Sequence, residues 1–599
     1  MCGIVAIINT TNAHDVPFKL IHQMNDVLNH RGPDGSGTWR SQCNKVSFGH
    51  KRLSIIDLST DALQPMVSLE RQYALIFNGE IYNYKELRED CIHLGSKFIS
   101  HSDTEVIIEC YRHWGSDCFH RFRGMWAIIL YDVKKNEVIV SRDPFAIKPL
   151  YYGFFKGHFY FASEPKALTQ LSEYFKEEDL TTTQLFLKYG YLDREDWTFY
   201  KNIKRFPHAT YAKINLDVNK TQMDFIKYWK PSSVINYSIT FSQAVKKLRE
   251  LLFDSMELHL RSDVPIGSCL SGGIDSSGIV SMGTKLLKGN PFTTFTSYYS
   301  QFEEINERKW AQAVINHTNA TAYFIEPTKE SLKQNLDDLI WAQDEPFGSM
   351  SIFAQYCVFK KIGDTNIKVV LDGQGADEML GGYLGFLPIY FYDLARKGKM
   401  LTLIKEYLAF KDMNIQFDIK DKLKLALKNS MIKTNKKIVH QNNEVLHDKD
   451  ELSFRLNKLS LSFEGFEDNL ESLLCESNIP QLLRYEDRNS MRFSIESRVP
   501  FINTEIVEFV LSLPANYRIR NGYTKAVLRE ALKGIIPDAV RKRRDKLGFP
   551  APEVQWMKEC YDIDVPSTGS LQWREFIHKR WCEMKNRQTN AIKEVEVYS

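Results

Sequence analysis

The sequence predicts two domains: a sheet-rich α+β half, then a parallel α/β half with helical additions. Three observations carry this. At 599 residues the chain exceeds what one hydrophobic core usually supports. Up to about residue 215, the runs Ile4 to Ile8, Tyr73 to Phe77, Met125 to Tyr131, Glu137 to Val140 and Phe159 to Ala162 are short, apolar or alternating, and are broken by Gly, Asn and Asp. Those are strand signals. Beyond a polar stretch between Asp217 and Ser242, long helical patterns alternate with buried strands, the order expected of a parallel sheet.

The boundaries that follow are a first domain at 2–215, a linker at 216–242, a second domain at 243–552 and a C-terminal tail at 553–599. Within the second domain, a Lys- and Leu-rich segment at about 384–480 reads as a helical elaboration without assigned chemistry.

An apolar fraction of 43% and a charged fraction of 26% describe an ordinary globular chain and exclude disordered and fibrous classes. A net charge of +3 is too small to build a strong field over so large a surface, so nucleic acid is not an expected partner. The ten cysteines form no C-x-x-C pair and no cluster with histidines, which argues against zinc and against a disulfide framework. No basic n-region precedes an apolar run and no stretch is long enough for a membrane helix. The expected setting is a reducing cytoplasm, with no membrane partner; a homodimer is compatible with the sequence.

Cysteine at position 2 is small enough for Met1 to be removed, which places a thiol and a free α-amine on one residue. The amine can then take the thiol proton without a separate histidine. An isolated Met-Cys start is usually only a small buried hydrophobe. Here it is accompanied by RGPDG at 31–35, HKRLSIID at 50–57, FNGEIYN at 77–83 and SDTEV at 102–106. With these five parts in order, the first 200 or so residues resemble the glutaminase domain of class II glutamine amidotransferases, an N-terminal nucleophile αββα sandwich. The resemblance implies that Cys2 is the nucleophile and that Arg52, Leu53, Ser54, Ile55 and Ile56 line the glutamine pocket, with Arg52 on the α-carboxylate. It implies Glu80 and Asp103 on the α-amine, and Asn78 with the Gly79 N–H as oxyanion hole.

In the second half, the strand Val264 to Leu270 runs into SGGIDSS, and a helical pattern continues from Ile279 to Leu287. FTTFTSYY forms another strand, and Ile367 to Leu371 runs into DGQGADE. Strand ends opening into Gly-rich loops are where open parallel sheets bind ligands. SGGIDSS is a phosphate loop without the Walker lysine, which argues against kinase-like transfer.

That string resembles the pyrophosphate loop of ATP pyrophosphatases, and residues 240–550 resemble the Rossmann-like synthetase domain of glutamine-hydrolysing asparagine synthetases. The resemblance implies an ATP site of Leu270, Ser271, Gly272, Gly273, Asp275, Ser276, Ser277, Ser297, Asp372 and Gly373. It further implies Mg²⁺ on Asp275 and Asp377, and pyrophosphate on Lys525. RKRRDK at 541–546, followed by LGFP, matches a basic segment near the family's active site, and RYEDRNSMRFSIESRVPF at 484–501 matches the segment joining acceptor pocket and domain interface.

The implied reaction frees ammonia from glutamine at Cys2 and passes it to aspartate activated by ATP as β-aspartyl-AMP, giving asparagine, AMP and pyrophosphate. Four positions depart from the family pattern: Gln374 stands where glutamate is usual, Ala146 where glycine is usual and Asn503 where aspartate is usual, and RFPHATY lacks the common P-P-G. Two other readings therefore stay open. One is an amidotransferase acting on another carboxylate, such as a uronic acid sugar; the other is a non-catalytic glutamine and nucleotide sensor.

Overall fold

The computed structural model describes residues 1–11, 17–219, 221–232, 234–288, 292–411, 451–452, 454–455, 465–545 and 550–597. The N-terminal strands are β1 (Gly3–Asn9), β2 (Gly35–Arg40), β3 (Val46–Arg52), β4 (Met66–Val67), β5 (Tyr73–Ile81) and β6 (Gly124–Asp132), followed by β7 (Glu137–Arg142), β8 (Tyr151–Phe155), β9 (His158–Ala162), β10 (Lys204–Arg205), β11 (Thr210–Asn215) and β12 (Phe225–Lys227). They form two antiparallel sheets, β10-β8-β9-β1-β3-β2 and β12-β11-β7-β6-β5-β4.

The two-residue period of β1 explains the layering. Ile4, Ala6 and Ile8 pack between the sheets against Ile76, Ile129 and Val140, while Val5 and Ile7 point outward onto Ile21, Met24 and Leu28 of the Lys19–Asp26 helix and the turn after it. In the facing sheet, Ala74 and Ile76 point inward, and Leu75 and Phe77 point outward onto Val106, Ile107 and Cys110 of the Asp103–Trp114 helix. Both faces of β1 and of β5 are therefore dry. Each large aliphatic side chain so buried contributes roughly 1.5–3 kcal/mol, and the result is the expected αββα sandwich.

The C-terminal domain holds the parallel sheet β15-β14-β13-β16-β17, with β13 (Ile266–Cys269), β14 (Thr293–Ser297), β15 (Thr321–Ile325), β16 (Val369–Leu371) and β17 (Glu496–Arg498). Chain order runs outward to one edge from β13 and then resumes on its other side with β16. That reversal opens a crevice at the carboxyl ends of β13 and β16, the place where sheets of this type bind ligands.

Two boundaries differ from the sequence expectation. The stretch expected as linker at 216–242 supplies β12, and Tyr228 beyond it is buried and stacked on Trp126 with ring centroids 5.9 Å apart. The expected tail at 553–599 contains the Glu553–Tyr561 and Leu571–Val597 helices, whose Trp556, Trp573 and Trp581 are buried. Of the expected helical elaboration at about 384–480, helices at Leu387–Arg396, Met400–Lys411 and Phe466–Cys475 are described, while 412–450, 453 and 456–464 lie outside the described residues. All ten cysteines are free thiols, and no described helix is long and apolar enough to cross a membrane.

Candidate active sites

Strand register assembles the first site. Gly3 pairs with Lys51, so Cys2 lies at the sheet end beside Arg52, and β5 of the facing sheet delivers Asn78, Gly79 and Glu80 to the same end. Cys2 is buried; its N–H donates to Asn78 Oδ1 at 2.9 Å, and its carbonyl accepts from Arg31 Nε at 3.0 Å. Asn78 is fully buried and its Nδ2 has no partner among the described residues, so beside the Cys2 backbone that its Oδ1 holds there is an amide donor left unused. Gly79 cannot be replaced without disruption, because a Cβ there lies 2.0 Å from the Met125 carbonyl oxygen.

The pocket is lined by Met1, Cys2, Arg52, Leu53, Ile55, Ile56, Ala62, Gln64, Phe77, Gly79, Glu80, Asp103 and Thr104, and about 30 Å³ of it is free. Met1 fills the rest, packed among Leu53, Ile55, Ile56 and Phe77. The Arg52 guanidinium donates to the Ser59 carbonyl at 2.8 Å and to the Asp57 carbonyl, which fix its plane. Two of the expected pocket residues do not line the cavity: Ser54, whose N–H donates to Asp34, and Asn78, whose Oδ1 holds the Cys2 N–H.

Asp103 is not the N-cap of its helix. Ser102 caps it, and the Asp103 carboxylate turns back to accept the Ile81 N–H at 2.9 Å. Burial pushes Asp103 up to about 7 and, with Glu496 and Asp103 nearby, holds Glu80 well above the ordinary carboxylate range. A site crowded with buried carboxylates favours an ammonium, and it holds one: the Met1 α-ammonium lies 3.0 Å from Glu496 Oε2. Burial pushes the Cys2 thiol up, and that ammonium pulls it back down.

The second site lies at the β13/β16 crevice. Leu270 follows β13 with its carbonyl accepting from Thr296 Oγ1 at 2.6 Å, and Ser297 ends β14. Gly272 adopts φ +77, and a Cβ there lies 2.5 Å from the Ala311 nitrogen. That is a left-handed turn in which only glycine fits. Gly273 caps the Ile274–Leu286 helix, Ser271 and Ser276 hydroxyls lie 3.1 Å apart, and the buried Ser277 hydroxyl has no partner among the described residues. The Asp372–Gly373 turn touches this loop, with the Gly373 Cβ position 3.0 Å from Asp275 Cβ.

Lys525 spans the crevice. Its ammonium lies 2.8 and 2.7 Å from the two Asp275 oxygens and 2.5 Å from Asp377 Oδ1, and all three residues are buried. Two hard carboxylates converging on one cationic centre is a donor set that fits Mg²⁺. Gly382, which the sequence reading missed, makes room for this cluster: a Cβ there lies 1.9 Å from Asp377 Oδ1 and 2.2 Å from Lys525 Cε.

In the basic run, Arg543 pairs with Glu307 at 2.5 Å and Arg541 with Glu530 at 2.9 Å, so these charges are internally matched; residues 546–549 lie outside the described residues.

The segment at 484–501 joins the two sites. Its helix, Asn478–Arg492, brings Arg484 to Asp193 at 2.8 Å and Asp487 to Arg31, while β17 brings Arg498 to within 3.8 Å of Glu80. Arg31 donates to Glu164 at 2.6 Å and to both Asp487 oxygens at 2.8 and 3.1 Å. Arg31 falls within the RGPDG motif, but its role is not legible there, because a partner 456 positions away leaves no local signal.

A sandwich with a buried Cys2 pocket, joined through buried ion pairs to a phosphate-loop domain, defines a glutamine amidotransferase coupled to an ATP-using synthetase. Family comparison agrees: residues 1–229 match the glutamine amidotransferase domain and residues 247–571 match asparagine synthase. The chain is 32% identical over 577 residues to asparagine synthetase [glutamine-hydrolyzing] 1 of Bacillus subtilis, covering 93% of this chain and 88% of that one. It is 30% identical over 629 residues to a putative asparagine synthetase [glutamine-hydrolyzing] of Mycobacterium tuberculosis, covering 96% and 91%, and 25% identical to the amidase chry2 of Gibberella zeae, covering 93% and 90%. The chain belongs to the glutamine-hydrolysing asparagine synthetase family, carbon–nitrogen ligases that use ATP.

Proposed function

We propose that the chain makes asparagine from aspartate, with ammonia from glutamine, through β-aspartyl-AMP and with release of AMP and pyrophosphate. The observation that carries this is the pairing of an intact thiol pocket with an intact Lys525–Asp275–Asp377 cluster across one buried interface.

Loss of Met1 empties most of the pocket and turns the Cys2 nitrogen, now donating to Asn78, into the amine that takes the thiol proton. Arg52 then receives the glutamine α-carboxylate, and Glu80 and Asp103 its ammonium. The unused Asn78 Nδ2 and the Gly79 N–H meet the oxyanion of the tetrahedral intermediate, and collapse to the γ-glutamyl thioester frees ammonia.

In the second site the loop Ser271 to Ser277, Leu270, Ser297 and the Asp372–Gly373 turn cradle ATP. Asp275 and Asp377 would hold Mg²⁺, which supplies charge neutralisation for the pyrophosphate. Lys525, held at the same carboxylates, supplies the positive charge that neutralises the departing pyrophosphate. The ten unpaired thiols suit a reducing cytoplasm.

The test is to incubate the protein with glutamine, MgATP and aspartate and to measure asparagine, AMP and pyrophosphate. Equal yields support the reading, and AMP formation indifferent to aspartate sinks it. A second reading, another carboxylate as acceptor, is favoured by Gln374, whose amide changes the charge of the turn leading into Asp377. Glutaminase activity with AMP release on a different acid would establish it.

A further inference from the structure

Making an amide from ammonia leaves one proton to be removed, and the two sites meet across a buried, ion-paired boundary. The carboxylates near that boundary are almost all committed. Asp275 and Asp377 hold Lys525; Asp487 and Glu164 hold Arg31; Glu496 holds Arg498; and Glu378 accepts from Tyr383 and Asn478 at 2.7 and 2.6 Å. Gln374 carries an amide and cannot take a proton. Glu486 is different. It is 2% exposed, its Oε1 accepts from the Ser497 hydroxyl, and its Oε2 has no partner among the described residues.

Its position suits the task. Glu486 precedes Asp487 on the Asn478–Arg492 helix, and Asp487 grips the arginine that holds the Cys2 carbonyl. Its other charged neighbours are Asp372 of the nucleotide turn, Lys148 and Asp487 itself. The residue thus sits on the helix that reaches the Cys2 backbone through Asp487 and Arg31, and it feels the charge of Asp372 in the nucleotide turn.

Resting on the function proposed above, we propose that Glu486 is the proton acceptor of the amidation step. Ammonia's lone pair forms the C–N bond at the acyl carbon, Glu486 Oε2 takes the surplus proton from nitrogen, and the C–O bond to AMP breaks with its electron pair leaving on the phosphate. Burial, reinforced by Asp372, holds the carboxyl well above the ordinary range, which makes its carboxylate a stronger base than an exposed glutamate, while Ser497 and Lys148 oppose that shift.

The test compares Glu486→Gln and Glu486→Asp with wild type, using the full chain, ammonium chloride, MgATP and aspartate. Glutaminase turnover and aspartate-dependent exchange of pyrophosphate into ATP are read alongside. The expectation is a loss of about 100-fold or more in asparagine formation for Glu486→Gln, partial recovery in Glu486→Asp, a flattened acid limb in the pH profile, and persistence of exchange. Asparagine formation within about threefold of wild type would overturn the proposal. So would a parallel collapse of exchange, which marks a structural role. Absence of asparagine in the wild type would remove the underlying reading and this one together, and is seen before any variant is compared.

Discussion

Arg31 and Asp487 form a two-point ion pair across the domain boundary, at 2.8 and 3.1 Å, with neither side chain more than 3% exposed. The same guanidinium donates from Nε to the Cys2 carbonyl, so one side chain ties the nucleophile's backbone to the other domain. Removing one partner of a buried pair typically costs about 3–5 kcal/mol. Asp487→Asn keeps the shape and a hydrogen bond, so the fold survives while the grip loosens. Glutamine hydrolysis is expected to persist, and glutamate is expected to exceed amide product severalfold when both are measured in one reaction. A ratio that stays at one would show that the pair is only structural.

Asn78 Nδ2 is a buried donor with no partner among the described residues. Its cost is repaid only when charge appears beside it. Asn78→Ala should lower glutaminase kcat by about 100-fold or more while leaving amidation from free ammonia near wild type. Cys2→Ala should abolish glutamine use altogether and also spare ammonia. Survival of glutamine-dependent activity in Cys2→Ala would displace the thiol from the mechanism.

Gly382 lies against Asp377 and Lys525 more closely than any Cβ allows. Gly382→Ala must push the carboxylate or the ammonium aside. The expected outcome is loss of ATP consumption by about 100-fold with full glutaminase activity, since misplacement by about 1 Å in a catalytic cluster costs that much. Equal loss of both activities would instead report a failure to fold.

The sheet-rich character of the first half was legible in the short apolar runs of β1 and β5, whereas the αββα layering came only through the resemblance carried by the five short motifs that also marked the pocket. Contacts distant in sequence were not legible: Glu496 beside the Met1 ammonium, 495 positions away, and Arg498 near Glu80 come from a strand of the other domain. The departures Ala146 and Asn503, taken from sequence as marks on synthesis, have local accounts. Ala146 adopts φ +58 and Ala209, within RFPHATY, φ +52, in the left-handed region that glycine enters at no steric cost. Both lie in the first domain, where the strain falls on stability. Asn503 caps the Thr504–Leu511 helix by accepting from the Glu505 N–H at 2.9 Å, as an aspartate can. Gln374 alone of the four lies at the nucleotide turn.

The C-terminal helix carries a pH-dependent clasp. His578 Nε2 lies 2.8 Å from Glu178 Oε1 of the first domain, with Cys582 Sγ 3.6 Å from the same nitrogen and Lys585 Nζ 4.0 Å from Glu178 Oε2. Burial works against the imidazolium, but Cys582 and Glu178 outweigh it and hold His578 up to about 9, while His578 holds Glu178 below its ordinary value. A histidine raised on folding stabilises fully below its unfolded value near 6.5 and loses that contribution as pH rises through about 9. A carboxylate lowered on folding contributes fully above its ordinary 4.5 and loses it as pH falls. The clasp is therefore strongest between these limits, near pH 5 to 6.5. Comparing wild type with His578→Gln, the difference in Tm should be largest there and shrink toward zero above about pH 9. A difference that stays constant from pH 6 to pH 10 would mean that a neutral hydrogen bond, not an ion pair, docks the helix.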